Sequence, residues 1–134
     1  MDALPLRPGL RVVEIGCGPG AAAREVAARV GPAGHVLAVD RSSRAIDQVV
    51  HGAAELLAEG RLTVRLALAE ELELGDGEAP YDLAFAVRVG ALDGRHPDRY
   101  EAAVRSIWSM LTPHGRLLVD GGAPLRDLPR PPRR

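Results

Sequence analysis

The sequence predicts an α/β domain: a doubly wound, mainly parallel sheet of about five strands with helices on both faces. Three observations predict it. Short apolar runs alternate with helix-like stretches along most of the chain, a pattern satisfied by parallel strands covered by their crossover helices. The first apolar run ends in the glycine-rich bend Gly16-Cys17-Gly18-Pro19-Gly20 and continues into an Ala-rich helix. The second apolar run ends in an acid, Asp40, about 20 residues beyond the bend, the separation at which an acid meets a nucleoside ribose in such folds.

Taken in order, residues 10–15 form the first strand and residues 21–30 a helix stopped by Gly31-Pro32. Residues 35–40 form the second strand. Ser42 or Ser43 caps a helix that runs to Ala58 and ends at Gly60. The alternating stretch 62–68 is a third strand, and 75–80 a loop. Residues 81–89 form the fourth strand and 93–98 a polar loop. Residues 99–111 form a helix whose apolar side carries Tyr100, Val104, Ile107, Trp108 and Leu111. The turn Thr112-Pro113-His114-Gly115 leads into a fifth strand, 116–120. Residues 1–120 form one domain. Residues 121–134, rich in Pro and Arg and without a period, read as a flexible or dimer-contacting tail.

Right-handed crossovers restrict such a chain to a doubly wound order, with the ligand beyond the carboxyl ends of the strands at the switch point. The bend lies there. Its alternating glycines leave no side chain between backbone and ligand, and the next helix offers free N–H groups and the positive end of its dipole.

Two spacings compete for the bend. Gly16, Gly18 and Ala21 fit the dinucleotide pattern G-x-G-x-x-G/A. Glu14, Gly16, Gly18 and Gly20 fit E-x-G-x-G-x-G, which resembles motif I of the class I S-adenosylmethionine-dependent methyltransferases. The resemblance covers about residues 6–120. It includes residues 31–40 around the second strand, Tyr81-Asp82-Leu83-Ala84-Phe85-Ala86 as the fourth strand, and Leu111-Thr112-Pro113-His114-Gly115-Arg116-Leu117-Leu118-Val119, similar to the family turn L-x-P-G-G-x-L-L-V.

The resemblance implies S-adenosyl-L-methionine as cofactor and methyl transfer to a small-molecule acceptor. It places Glu14, Gly16, Cys17, Gly18 and Gly20 at the bend, Asp40 and Arg41 at the ribose, Leu68, Ala69 and Glu70 at the adenine, and Ala86 and the run from Val87 and Arg88 to Leu92 beside the methyl. Leu68 departs from the family pattern, which has an Asp there, so adenine is left to apolar contact, the backbone of Ala69, or Glu70. Arg88 is an unexpected cation beside a sulfonium and has three readings: the cofactor carboxylate, a substrate anion, or solvent. Asp93, His96 and Asp98 in the loop after the fourth strand are candidate bases, with His96 and Asp93 foremost; an imidazole has the suited intrinsic pKa. Two alternatives stay open: a module that holds the cofactor without methylating, and a fold reused for another reaction such as cyclisation. A nicotinamide enzyme is a remoter alternative.

Composition narrows the classes further. The formal net charge of −1 over 134 residues gives no global basic field for nucleic acid. All 17 basic residues are Arg, which excludes a lysine nucleophile, a Schiff base and a G-K-[ST] phosphate loop. Cys17 is the single cysteine, so no internal disulfide forms; inside the bend it reads as a packing residue. No metal-ligand spacing, signal-like N-terminus or membrane-length apolar run is present, which predicts a cytoplasmic protein with no membrane contact. The family usually carries further N-terminal helices and two more strands beside the fifth. Without those strands the fifth would be a bare edge, which predicts a homodimer through that edge or the tail.

Overall fold

The computed structural model describes residues 4–92, 95–120 and 125–132. Their strands are β1 (Arg11–Ile15), β2 (His35–Asp40), β3 (Leu62–Leu66), β4 (Tyr81–Ala86), β5 (Leu111–Val119) and β6 (Arg126–Asp127). Their α-helices are α1 (Ala21–Val30), α2 (Ser43–Gly52), α3 (Ala54–Ala58) and α4 (Tyr100–Trp108). The strands form one sheet in the order β3-β2-β1-β4-β5-β6. Strands β1 to β5 are parallel and β6 is antiparallel. β1 pairs with β2 on one side and β4 on the other, so the order reverses beside β1 and a crevice opens there.

Period-two alternation divides the core between the two faces of the sheet. Val12, Val36, Ala38, Leu83, Phe85 and Leu118 pack with Ala23, Val26, Ala27 and Val30 of α1 and Val49 of α2. Val13, Ile15, Leu37, Val39, Ala84, Leu117 and Val119 pack with Ala103, Val104, Ile107 and Trp108 of α4. Burying one such side chain as fully as Ile107 contributes roughly 1.5–3 kcal/mol. The doubly wound α/β class predicted from the sequence is the class observed.

Several boundaries differ from the sequence reading. The helix expected through Ala58 breaks at Ala53, whose φ of −126° is not helical, and becomes α2 and α3. Ser42 is the N-cap; its hydroxyl accepts from Ala45 N–H at 3.2 Å. β4 stops at Ala86 because Arg88 turns to φ 57°. Residues 112–115 are not a turn outside the sheet. Leu111 already pairs with Tyr81, and the register shifts before Arg116 meets Leu83, so they form an irregularity within β5.

The expected bare edge of the fifth strand is corrected by β6, which pairs Asp127 with Leu118 and Arg126 with Val119. The tail has no hydrophobic period, yet its segment 125–132 is anchored. Leu128 is buried, and its N–H donates to Leu117 C=O at 2.8 Å. Asp127 pairs with Arg116 at 2.9 Å, and the Arg130 guanidinium lies 4.4 Å from the centre of the Trp108 ring. A two-residue edge strand offers little for another chain to pair with. Among the described residues no helix is long and apolar enough to cross a membrane.

Candidate functional site

The carboxyl ends of β1, β2 and β4 and the segment after β3 open onto a cleft of about 370 Å³, within the usual range for small-molecule sites. Its floor is the bend between β1 and α1. Gly16, Gly18 and Gly20 have φ of 76°, 52° and 94°, a left-handed region in which a Cβ is strained. The N–H groups of Gly16 and Cys17 both donate to Val39 C=O, at 2.8 and 2.9 Å. Gly18 N–H donates to Oδ2 of Asp40 at 3.0 Å, and Ser42 N–H to Oδ1 at 2.9 Å. The bend is therefore strapped to the end of β2. Each Asp40 oxygen carries one backbone bond and retains acceptor capacity for a second donor.

Glu14 lies beneath the bend, on the same β1 face as Val12. It is 7 % exposed, and its Oε1 has no hydrogen-bond partner. Burial, with the Asp40 charge second, pushes its pKa up to about 8. Burial also pushes the Cys17 thiol up to about 12, with Glu14 and Asp40 adding to the shift. A thiol held so far from its thiolate is inert, as a packing role requires.

The cleft brings together most of the residues singled out from the sequence. Gly16, Gly18, Asp40, Arg41, Leu68, Ala69, Glu70, Val87, Arg88 and His96 line it. Glu14, Cys17 and Gly20 are buried behind the bend, and Ala86 is buried one residue before the lining begins. Glu70 is held by an ion pair of 3.5 Å to Arg99, so the loop it sits in is not simply solvated. Asp93 lies outside the described residues. Asp98 is exposed and is not part of the lining. Val89, Gly90 and Ala91, from the run 87–92 expected beside the methyl, also line it, whereas sequence reasoning missed Arg95 and Arg99, along with Ile15, Val39 and Ala67. The apolar ones adjoin motif residues and were legible as neighbours; the two arginines carry no local signal. Among the described residues no three His, Cys, Asp or Glu side chains gather as a metal site.

A mainly parallel sheet with a positive-φ glycine bend over its crevice, tied to an acid at the tip of β2, defines an α/β domain of the Rossmann-like class. The chain belongs to the methyltransferase-domain family, whose model, described as "Methyltransferase domain", matches residues 12–115. It is similar to the protein-L-isoaspartate O-methyltransferase of Methylorubrum extorquens strain PA1, with 36 % identity over 130 residues, 92 % of this chain and 47 % of that protein. It is also similar to the nocamycin O-methyltransferase of Saccharothrix syringae, with 32 % identity over 130 residues, 92 % of this chain and 42 % of that protein. Among solved structures it matches the cyclase SpnF with a TM-score of 0.68 and 27 % identity, over 88 % of this chain and 40 % of that one. The chain thus spans about half the length, or less, of these relatives.

The family implies S-adenosyl-L-methionine as cofactor, and the residues present fit that group. Asp40 has acceptor capacity suited to a vicinal diol. A Cβ built on Gly18 meets nothing within 4 Å, so the bend has open space above it. Ile15, Val39, Ala67, Leu68 and Ala69 give the cleft apolar wall for a flat base.

Proposed function

We propose that this chain is the cofactor-binding core of an S-adenosyl-L-methionine-dependent methyltransferase acting on a small-molecule acceptor. The observation that carries the reading is the junction of Gly18 and Asp40, where the glycine bend and the acid of β2 meet over the crevice. The cofactor, when bound, supplies an electrophilic methyl on a sulfonium sulfur. The chain's part is alignment: Asp40 and the bend fix one partner, and the segment after β4 shapes the space for the other. His96, half-buried in the cleft wall and held by its backbone N–H donating to Gly90 C=O at 3.0 Å, is assigned the proton where the acceptor must lose one; Asp93 is the second candidate. A lone cysteine suits a reducing compartment, so the reading includes a cytoplasmic location. A second copy at β5 is not part of it, because β6 occupies that edge.

Calorimetry with S-adenosylmethionine, S-adenosylhomocysteine and NAD tests the cofactor. The first two bind and NAD does not; affinity for NAD alone would overturn the reading. Transfer of a labelled methyl to candidate small molecules tests the activity. The likeness to a cyclase favours one second reading, reuse of the cleft for a reaction without methyl transfer. It predicts cofactor binding with no label leaving the cofactor.

A further inference from the structure

The cleft has two chemically different sides. Asp40 and the glycine bend occupy one; Arg88, Arg95 and Arg99 come from the segment after β4 and occupy the other, with Arg41 beside Asp40. Four of the lining residues are arginines and two, Asp40 and Glu70, are acids. Both oxygens of Asp40 already accept from backbone N–H groups, and Glu70 is paired with Arg99. Among the described residues the side chain of Arg88 has no ion pair.

Arg88 is also held in place by its own backbone. Its φ of 57° is the one positive value at a non-glycine position among the described residues, a conformation uncommon for a long side chain and found disproportionately at functional sites. Two contacts hold it there. Arg88 N–H donates to Oδ2 of Asp120 at 3.1 Å, and the Arg95 Nη2 donates to Arg88 C=O at 2.7 Å. Asp120 at the end of β5 and Arg95 from the following loop thus fix the backbone of Arg88, which lines the cleft.

We propose that this side of the cleft takes an acceptor bearing an oxyanion, a carboxylate or a phosphate ester, and that Arg88 is the residue that selects it. The placement of the acceptor rests on the proposed cofactor site. A guanidinium fork matches either oxyanion with two parallel hydrogen bonds. Electrostatics point the same way. A sulfonium beside an arginine that makes no ion pair is a like-charge pair, and a bound anion is attracted to both. Neutral acceptors leave Arg88 facing the sulfonium and are disfavoured.

The test uses the whole chain saturated with S-adenosylhomocysteine, titrated separately with succinate and with inorganic phosphate by calorimetry. The variant is Arg88→Gly, because glycine adopts the φ of position 88 without strain; Arg88→Gln is measured beside it. Saturable binding of at least one anion is expected, weakened about tenfold or more in both variants, with affinity for S-adenosylhomocysteine essentially unchanged. Binding of one anion alone tells carboxylate from phosphate. No saturable binding of either anion overturns the inference, as does equal binding by the variants. Loss of S-adenosylhomocysteine affinity in both variants also overturns it, since Arg88 would then serve the cofactor. The titration is repeated without S-adenosylhomocysteine. Anion binding through Arg88 in a chain with no affinity for S-adenosylhomocysteine would leave Arg88 as an anion site and overturn the cofactor reading instead.

Discussion

The backbone N–H of Gly18 donates to Oδ2 of Asp40 at 3.0 Å, so one carboxylate both fixes the glycine bend and faces the cleft. Asp40→Ala removes the acceptor for this N–H and for Ser42 N–H. Hydrogen bonds to a charged group contribute roughly 1.5–3 kcal/mol each. Affinity for S-adenosylhomocysteine is expected to fall by at least about tenfold, while the far-ultraviolet circular dichroism stays that of the wild type. Unchanged affinity in a folded variant would remove Asp40 from the site.

The glycines of the bend differ in what surrounds them. At Gly16, with φ 76°, an added Cβ comes within 2.9 Å of a Val89 methyl; at Gly18, with φ 52°, it meets nothing within 4 Å. Both substitutions to Ala carry backbone strain of about 1 kcal/mol or more, and Gly16→Ala adds a displacement of Val89 in the cleft wall. Urea unfolding should therefore rank Gly16→Ala below Gly18→Ala in stability. The reverse order would contradict the described bend.

Glu14 makes stability depend on pH. Its pKa lies near 4.5 when unfolded and is pushed up to about 8 when folded, by burial first and by Asp40 second. Between those values folding takes up a proton. The wild type is then most stable below about pH 4.5 with respect to this group and loses that stability as pH rises toward about 8. The loss is on the order of a few kcal/mol. Glu14→Gln should flatten the profile between pH 5 and pH 8, measured as urea midpoints. Parallel profiles for the two proteins would show that Glu14 is already ionised in the fold.

The segment around β6 should contribute to stability despite its composition. Leu128→Ala removes a buried side chain and is expected to cost about 2–5 kcal/mol. Arg130→Ala removes the contact with Trp108 and a 3.0 Å hydrogen bond to Thr112 C=O, at about 1 kcal/mol. Thermal melts of the two variants check the ranking. A Leu128→Ala melt identical to the wild type would mean that the segment does not cover the edge of β5 in solution.

What the sequence determined by itself is local. Strand and helix periods, the glycines of the bend and the acid at the end of β2 each declare their role within a few neighbouring residues, because period and turn chemistry depend on adjacent positions. That was enough for the fold class, the switch point and the bend. What only the tertiary structure decided depends on residues far apart in the chain. Arg95 and Arg99 line the same cleft as the ends of β1 and β2, and nothing in a polar loop announces that. β6 forms because β5 leaves backbone groups to satisfy, a demand that comes from the sheet and not from residues 125–132. The raised pKa of Glu14 follows from burial beneath a bend made by other residues, with Asp40 brought close; the sequence supplies the carboxyl, and the packed fold supplies the low-dielectric surroundings that hold its proton.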